Sequence, residues 1–417
     1  MSKIVFGLLL AAAGLAQQME SFEAVWTAVA DKHWSPEQLK QIGWNELKEP
    51  YRRRVAAAGN QSEVRQILRE MVGKIGKSHY AISGLEMRVS PKVRQGGGNS
   101  PGFRVGLVEG KVVVTGLEPG VSDVRMGWEV VEVDGRAVAP AVVEIQKQVG
   151  EGLQSGLRLH QMLQVMVSGS PGEELAFAFE GLGGVKHKVV RKVAAGNGSA
   201  GFGFVQGVNV GREYRRVGAR RDIGYFRLDL FLDVVRVLPQ FQKAVEDCRA
   251  CRGFIIDLRG NPGGLAVMAN ALAGWFVQKE DVKLGTMYQR GVELQVVVSP
   301  RLGGGAGPRA ILVDEASAST SEIFAGGMQD LGRARILGER TAGAALPSVV
   351  ESLPNGDLFQ FAVANYVSES GRELEGKGVK PDQVVGHTLA ALRAGRDRPL
   401  EAAISWIYAS AVRPAGR

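Results

Sequence analysis

Apolar residues recur at three- and four-residue spacing through SFEAVWTAVADKHW, SPEQLKQIGWNELKEPYRRRVAAAG and NQSEVRQILREMVGKIG. That spacing puts them on one face of a helix. Ser21, Ser35 and Asn60 stand where a side-chain oxygen can cap the first free N–H groups. The pattern predicts a small helical domain over residues 17–95, ending near GKSHYAI. Over residues 101–193 the texture changes to strands and glycine turns: GKVVVTGLEPG, WEVVEVDGRAV and EELAFAFEGLGGVKHKVV, with a helical LRLHQMLQVMVSG between them. A third texture fills residues 200–417, where IGYFRLDLF, GFIIDLRG, RAILVDE and ARILGE are apolar on both faces and alternate with helical segments. Strands buried on both sides imply a largely parallel sheet covered by helices, so the fold class is multidomain α/β. Asn355-Gly356 in SLPNGDLFQFAV marks a hairpin turn, and RPLEAAISWIYASAV reads as a closing amphipathic helix.

The first residues follow none of these patterns. Lys3, an apolar run from Ile4 to Ala13, and the small residues Gly14 and Ala16 predict a signal peptide over 1–16. The run is too short to span a bilayer. The expectation is an exported protein, periplasmic or secreted, with no integral membrane segment after the signal is removed. No cysteine follows the run, which argues against a lipid anchor there.

Composition narrows the function classes. At 417 residues and 45% hydrophobic, the chain can bury more than one core. The net charge of +8 comes from scattered basic residues. Short clusters such as YRRRV and REYRRVGARR lack interleaved aromatics and nucleic-acid-binding motif spacing. No nucleic-acid partner is expected. Cys248 and Cys251, in EDCRACRG, end a helical pattern and read as a structural pair able to form a tight disulfide. They cannot supply four zinc ligands, and no metal or other cofactor is expected.

Two stretches carry chemistry. In RAILVDEASASTSEIFAGGMQD, strand, turn and helix follow one another, and Ser319 to Glu322 has capping-box spacing. A serine there would also hold its hydroxyl at the end of a strand, with the N–H of Thr320 and the helix dipole favouring an oxyanion. In FIIDLRGNPGG, the turn Asn261-Pro262-Gly263-Gly264 can offer backbone N–H groups to an anion. Neither the dinucleotide nor the P-loop glycine spacing is present.

Taken in order, DLRGNPGG, SASTSEIFAGGMQDLGRARILGERTAG and ELEGKGVKPD resemble the tail-specific, or C-terminal processing, serine peptidase family. The likeness extends to the helical N-terminal segment and to RPLEAAISWI. It implies a crotonase/Clp-like α/β catalytic core carrying an inserted PDZ-like β domain. VVVTGLEPGVSDVRMGWEVVEVDGRAV is itself similar to a PDZ domain, with Gly127-Trp128 where Gly-Asp is usual. Such modules take up a peptide by adding it to a sheet edge. The resemblance makes Ser319 the nucleophile and gives the oxyanion donors as Thr320 N–H and one from Gly263-Gly264.

The lysine-using branch of that family has its general base where this chain has Ala344. KSHY instead resembles an element of the histidine-dependent branch, which includes tricorn core and interphotoreceptor retinoid-binding-protein-like members. Lys77 and Tyr80 stand where that branch commonly has Asp and Thr. The resemblance then implies His79 as general base, Ser78 as its partner, and Glu375 rather than Glu373 as the orienting carboxylate. The other four histidines, His33, His160, His187 and His387, read as surface or satisfied residues. The function implied is an exported serine endopeptidase cutting extended polypeptides through an acyl-enzyme on Ser319, with the PDZ-like domain gripping the substrate's C-terminus. The alternatives are an inactive homologue binding peptide or lipid, and a crotonase-type enzyme of phosphate or CoA esters.

Overall fold

The computed structural model describes residues 2–84, 100–152, 154–170, 172–193, 200–202, 205–208, 210–304 and 307–412. The expected limit of the helical domain at 95 lies outside them. The chain opens with helices α1 (Ser2–Lys32), α2 (Pro36–Gln41), α3 (Trp44–Ala57) and α4 (Gln61–Gly73), followed by the short strand β1 (Ala81–Ser83). Ser35 and Asn60 cap α2 and α4 by accepting the N–H of Gln38 and Glu63. Ser21 does not act as a cap. α1 runs through it, because no proline interrupts the segment between the apolar leader and the amphipathic stretch, and Gly14 does not break the helix. The Ser21 hydroxyl donates back to the Gln17 carbonyl at 2.7 Å and accepts the Asn355 N–H at 3.0 Å. Among the described residues no helix is long and apolar enough to cross a membrane.

The middle segment folds as β2 (Phe103–Val108), β3 (Lys111–Leu117), β4 (Glu129–Val133), β5 (Arg136–Ala137), α5 (Val138–Val149), α6 (Ser155–Val167), β6 (Glu174–Glu180) and β7 (Lys186–Lys192). Its strands pair antiparallel in the order β2-β3-β4-β6-β7, with β5 on β4, so β2 is a free edge. Phe103, Phe177 and Phe179 pack edge-on or stacked in its own core. At Gly127 a side chain would meet the backbone of Arg393 at 2.4 Å; this close approach docks the module on the rest of the protein.

A ribbon of β8 (Ala200–Phe202) and β9 (Val205–Val208) leads into the main sheet. Its members and neighbours are β10 (Arg212–Val217), β11 (Ile223–Leu228), α7 (Val234–Asp247), β12 (Gly253–Asp257), α8 (Ala266–Ala273), β13 (Val282–Gln289), β14 (Val292–Val298), β15 (Arg309–Val313), α9 (Thr320–Asp330), β16 (Arg335–Gly338), β17 (Ser348–Ser352), β18 (Leu358–Ala362), β19 (Asn365–Ser368), β20 (Gln383–Val384), α10 (Leu389–Arg393) and α11 (Arg398–Val412). The sheet order is β10-β11-β12-β15-β16-β20, parallel except for β10. Alternate residues serve opposite faces: Phe226, Ile256 and Ile311 face the core formed with α7, α8 and α9, while Tyr225, Ile255 and Leu312 pack on α11. The sequence pattern missed β13 and β14, which pair with β19 in a separate three-stranded sheet.

Asn355-Gly356 does turn a hairpin, β17 to β18. That hairpin leaves the main sheet and joins the N-terminal helices instead. β18 pairs with β1, Phe359 and Phe361 complete the helical core, and the buried Arg65 of α4 bonds Asp357 at 2.9 Å. The consequence for function is direct: the segment between α4 and β1, which carries His79, is tied through β1 to the C-terminal half of the chain. Cys248 and Cys251 form a disulfide at the end of α7.

Candidate active site

Ser319 sits between β15 and α9 with φ 55° and ψ −118°, a conformation an L-residue enters only at a cost of about 1–3 kcal/mol. The surrounding loops over-determine it. Asp314 accepts the N–H of Gly260 and of Ala316 at 2.9 and 3.0 Å, joining the β12 and β15 loops. Ser317 donates to the Leu258 carbonyl, and Ser321 to that of Asn261. Of the three serines in SASTS, the outer two are therefore buried fasteners, and the middle one is only partly buried. Asn261 is itself fully buried; it donates to the Leu228 carbonyl at 2.7 Å and accepts the Gly263 N–H at 2.8 Å.

That last bond decides between the two glycines. Gly263 N–H is committed to Asn261, so it is not free to hold an oxyanion. Gly264 is bridged to Phe231 through its neighbours, which turns its own N–H and carbonyl to the other side, where the carbonyl accepts the Thr320 hydroxyl at 2.7 Å. The N–H groups of Gly264 and Thr320 meet no acceptor among the described residues. Gly263 has a steric part instead: a Cβ there would lie 2.6 Å from the Cβ of Ser319, and its φ is 105°. Gly263→Ala is expected to push the Ser319 turn aside and slow serine labelling by roughly 100-fold, the usual scale for an ångström of misplacement. Rate constants for fluorophosphonate labelling check this.

Glu322 does more than complete a capping box. Fully buried, it accepts the Ser319 N–H at 3.1 Å, the Thr341 hydroxyl, and the N–H groups of Gly343 and Ala344 at 2.8 and 2.9 Å. Burial pushes its carboxyl up to about 7 against these donors. The sequence reading assigned it only the cap; the partners in GERTAGAALP lie beyond any local pattern. Glu322→Ala leaves two buried N–H groups unpaired, so a loss of roughly 2–4 kcal/mol in unfolding free energy is expected by urea titration.

The same strap reaches the histidine. Ala344 C=O accepts the Ser319 N–H at 2.8 Å, and the adjacent Ala345 N–H donates to Glu375 at 3.1 Å. Glu375 also accepts the Ser78 N–H at 2.8 Å and the Ser78 hydroxyl at 2.7 Å. Ser78 Oγ lies 2.7 Å from His79 Nδ1. Because the one hydroxyl proton of Ser78 goes to the carboxylate, Nδ1 must carry the proton in that contact, leaving Nε2 with a free lone pair. His79 has φ 62°, and burial holds its imidazole down at about 4. The structure thus brings Ser78, His79 and Glu375 into one chain of hydrogen bonds, two residues of backbone away from Ser319. No hydrogen bond joins His79 to the Ser319 hydroxyl among the described residues. Glu373 stands apart, exposed and paired with Lys377 and Asn365.

Ala344 is buried against Ala318, Ala342 and Leu157. Among the remaining histidines, His187 stacks on Trp128, and His387 Nε2 lies 3.2 Å from Arg259. His33 is a satisfied residue and not a surface one: it is fully buried and bonded on both ring nitrogens. Among the described residues no group of His, Cys, Asp and Glu is arranged to hold a metal.

Comparison with known proteins gives this arrangement its family. Residues 222–385, from β11 through β20, match the model of Peptidase family S41. The chain carries an S41 peptidase domain. Residues 16–73 match the Tricorn protease C1 domain, so Ser319 and Glu375 fall inside a match while Ser78 and His79 lie between the two. The chain is 34% identical over 169 residues to a carboxyl-terminal-processing protease of Picosynechococcus sp., covering 39% of each. It is 31% identical over 186 residues to a carboxy-terminal-processing protease of Bartonella bacilliformis, covering 42% of each. The alignments thus span about two fifths of these relatives' length. Among solved structures, the photosystem II D1 C-terminal processing protease shares the fold over 90% of this chain and 94% of its own, with TM-score 0.55 and 21% identity. The tricorn protease does so over 96% of this chain and 37% of its own, with TM-score 0.54 and 16% identity.

Proposed function

We propose that this protein is an exported serine endopeptidase that cleaves extended polypeptides. The observation that carries the reading is the strained Ser319 between two available N–H groups, with the Ser78–His79–Glu375 chain beside it. In this mechanism His79 Nε2 takes the Ser319 hydroxyl proton as Oγ attacks the scissile carbonyl. Gly264 and Thr320 N–H hold the oxyanion, and the imidazolium returns the proton to the leaving amine. Ser78 relays the charge of Glu375 to Nδ1, so the tautomer is set before substrate arrives. The catalytic hydrogen bond from Ser319 to His79 forms in the substrate complex, since such contacts are often loose in the free enzyme.

The middle module, with its free β2 edge beside α6, is taken as the PDZ-like domain that adds a peptide strand, gripping a substrate near its C-terminus. The core is taken as crotonase/Clp-like, and the apolar first residues as an export signal. The names of the relatives favour C-terminal processing over a ligand-binding role. The test is labelling of the full-length protein with a fluorophosphonate, together with cleavage of an unfolded polypeptide. Labelling and cleavage by wild type but not by Ser319→Ala support the peptidase; absence of both in a folded sample leaves the binding-protein reading standing.

A further inference from the structure

His79 holds a left-handed backbone conformation, φ 62°, which a non-glycine residue keeps only when its surroundings over-determine it. On one side Ser78 is anchored to Glu375 by two bonds. On the other side the next residue is Tyr80, and its hydroxyl contacts His33 Nδ1 at 2.5 Å and the Ala362 carbonyl at 3.2 Å. His33 belongs to no part of the machinery described above. It follows α1, is 0% exposed, and lies tilted against the Trp34 ring, with centroids 4.0 Å apart.

The directions of these bonds are fixed by what each atom can do. Gln38 Oε1 is an acceptor, 3.0 Å from His33 Nε2, so the imidazole proton sits on Nε2. Nδ1 is then a lone pair, and it accepts the Tyr80 hydroxyl proton; the Ala362 carbonyl is the more distant of two acceptors. Gln38 in turn donates through Nε2 to the Ile75 carbonyl at 3.3 Å. From the tip between β13 and β14, Arg290 donates to the His33 carbonyl at 2.7 Å and to that of Ala30. The ring runs from the end of α1 through α2 to residue 75, and along the turn through His79 to Tyr80, back to His33. Each link is buried or partly buried.

We propose that His33, acting through Tyr80, is a positioning residue that sets the orientation of His79 toward Ser319. It touches neither substrate nor the reacting atoms. The proposal rests on the reading of His79 as general base. Burial keeps His33 neutral and therefore an acceptor: it lowers the imidazole to about 4 against the opposing Gln38 hydrogen bond, and the charges of Arg290 and Lys77 add to the lowering. Glu375 faces Ser78 and Tyr80 from the other side, and burial, then Glu375, pushes the Tyr80 phenol well above its ordinary range. Tyr80 is accordingly a donor at every working pH.

The experiment measures the second-order rate of fluorophosphonate labelling from pH 4 to 8 in the full-length protein. The variants are His33→Phe, Tyr80→Phe, their double, and His33→Asn, whose Oδ1 can replace Nδ1 as acceptor. Each single Phe variant is expected to label roughly ten- to a hundredfold more slowly at pH 7. Its acid limb should move upward toward 6.5, as water reaches a loosened His79. The double variant should cost no more than either single one, and His33→Asn should recover most of the rate. Wild-type rates with an unmoved limb, even with a lowered melting temperature, overturn the proposal, as do additive losses. His79→Ala separates the two readings. If it labels like wild type, the base assignment fails and takes this proposal with it. If it is silent while His33→Phe labels normally, only the positioning role of His33 falls.

Discussion

Replacing Ser319 with alanine is expected to reduce peptide hydrolysis by about 10⁴- to 10⁶-fold while leaving the fold in place. The size follows from the loss of the covalent route; what remains is stabilisation by the Gly264 and Thr320 N–H groups and substrate binding, which alone are worth about 10³–10⁴ over water. The fold should survive because alanine keeps the Cβ that packs against Gly263. The Ser319 backbone contacts to Ala344 and Glu322 also use main-chain atoms. Urea unfolding within about 1 kcal/mol of wild type, beside an activity loss of this size, is the pair of results to look for. A residual rate above about one hundredth of wild type would mean that Ser319 is only a helix cap, since caps contribute about 1 kcal/mol and no chemistry.

The second large effect is in the pH profile. An unburied histidine base would lose activity below about 6.5. Here burial lowers the His79 imidazole to about 4, so the base of the proposed mechanism stays neutral across the mildly acidic range. The acid limb of kcat/KM, which reports the free enzyme, is expected near 4 with an uncharged substrate. A limb near 7 would point instead to Glu322, whose carboxyl burial raises to about 7 beside Ser319. His79→Ala should cost about 10⁴-fold at neutral pH, as loss of a triad base does.

The sign for stability is the reverse of that for a salt-bridged histidine. Above 6.5 His79 is neutral in both folded and unfolded chains and the pH dependence is flat. Below 6.5 the unfolded state gains the proton first, so stability is lost as pH falls, by about 3 kcal/mol when the folded pKa near 4 is passed. Urea midpoints of wild type minus His79→Ala isolate this contribution, because Glu322 and His33 titrate in both.

Several features of the site were legible in local sequence because they are local in physics. The strand–turn–helix around Ser319 follows from an apolar run, small residues and a capping-box glutamate within fourteen positions, Arg309 to Glu322. Gly263 and Gly264 announce a close backbone approach wherever they fold. The choice between them was not legible, since it turns on the Asn261 side chain folding back on the Gly263 N–H. The helix through Ser21 shows the opposite failure: a good capping residue does not start a helix when nothing before it ends one.

By itself the sequence determined the element types around the site (though not β13 and β14), the two-sided burial of the parallel strands, and the turn in which Ser319 stands. It also showed the absence of a lysine at Ala344, which directs attention to His79. Tertiary structure alone decided what surrounds that histidine. The β17–β18 hairpin crosses to the N-terminal helices, and Glu375 accepts from Ser78 almost 300 residues away (a separation of 297). The strap at 343–345 touches both Ser319 and Glu375. Periodicity reports which face of an element is buried but not what buries it. Hydrogen-bond partners this far apart meet only when separate hydrophobic cores dock, and that docking leaves no local mark on the chain.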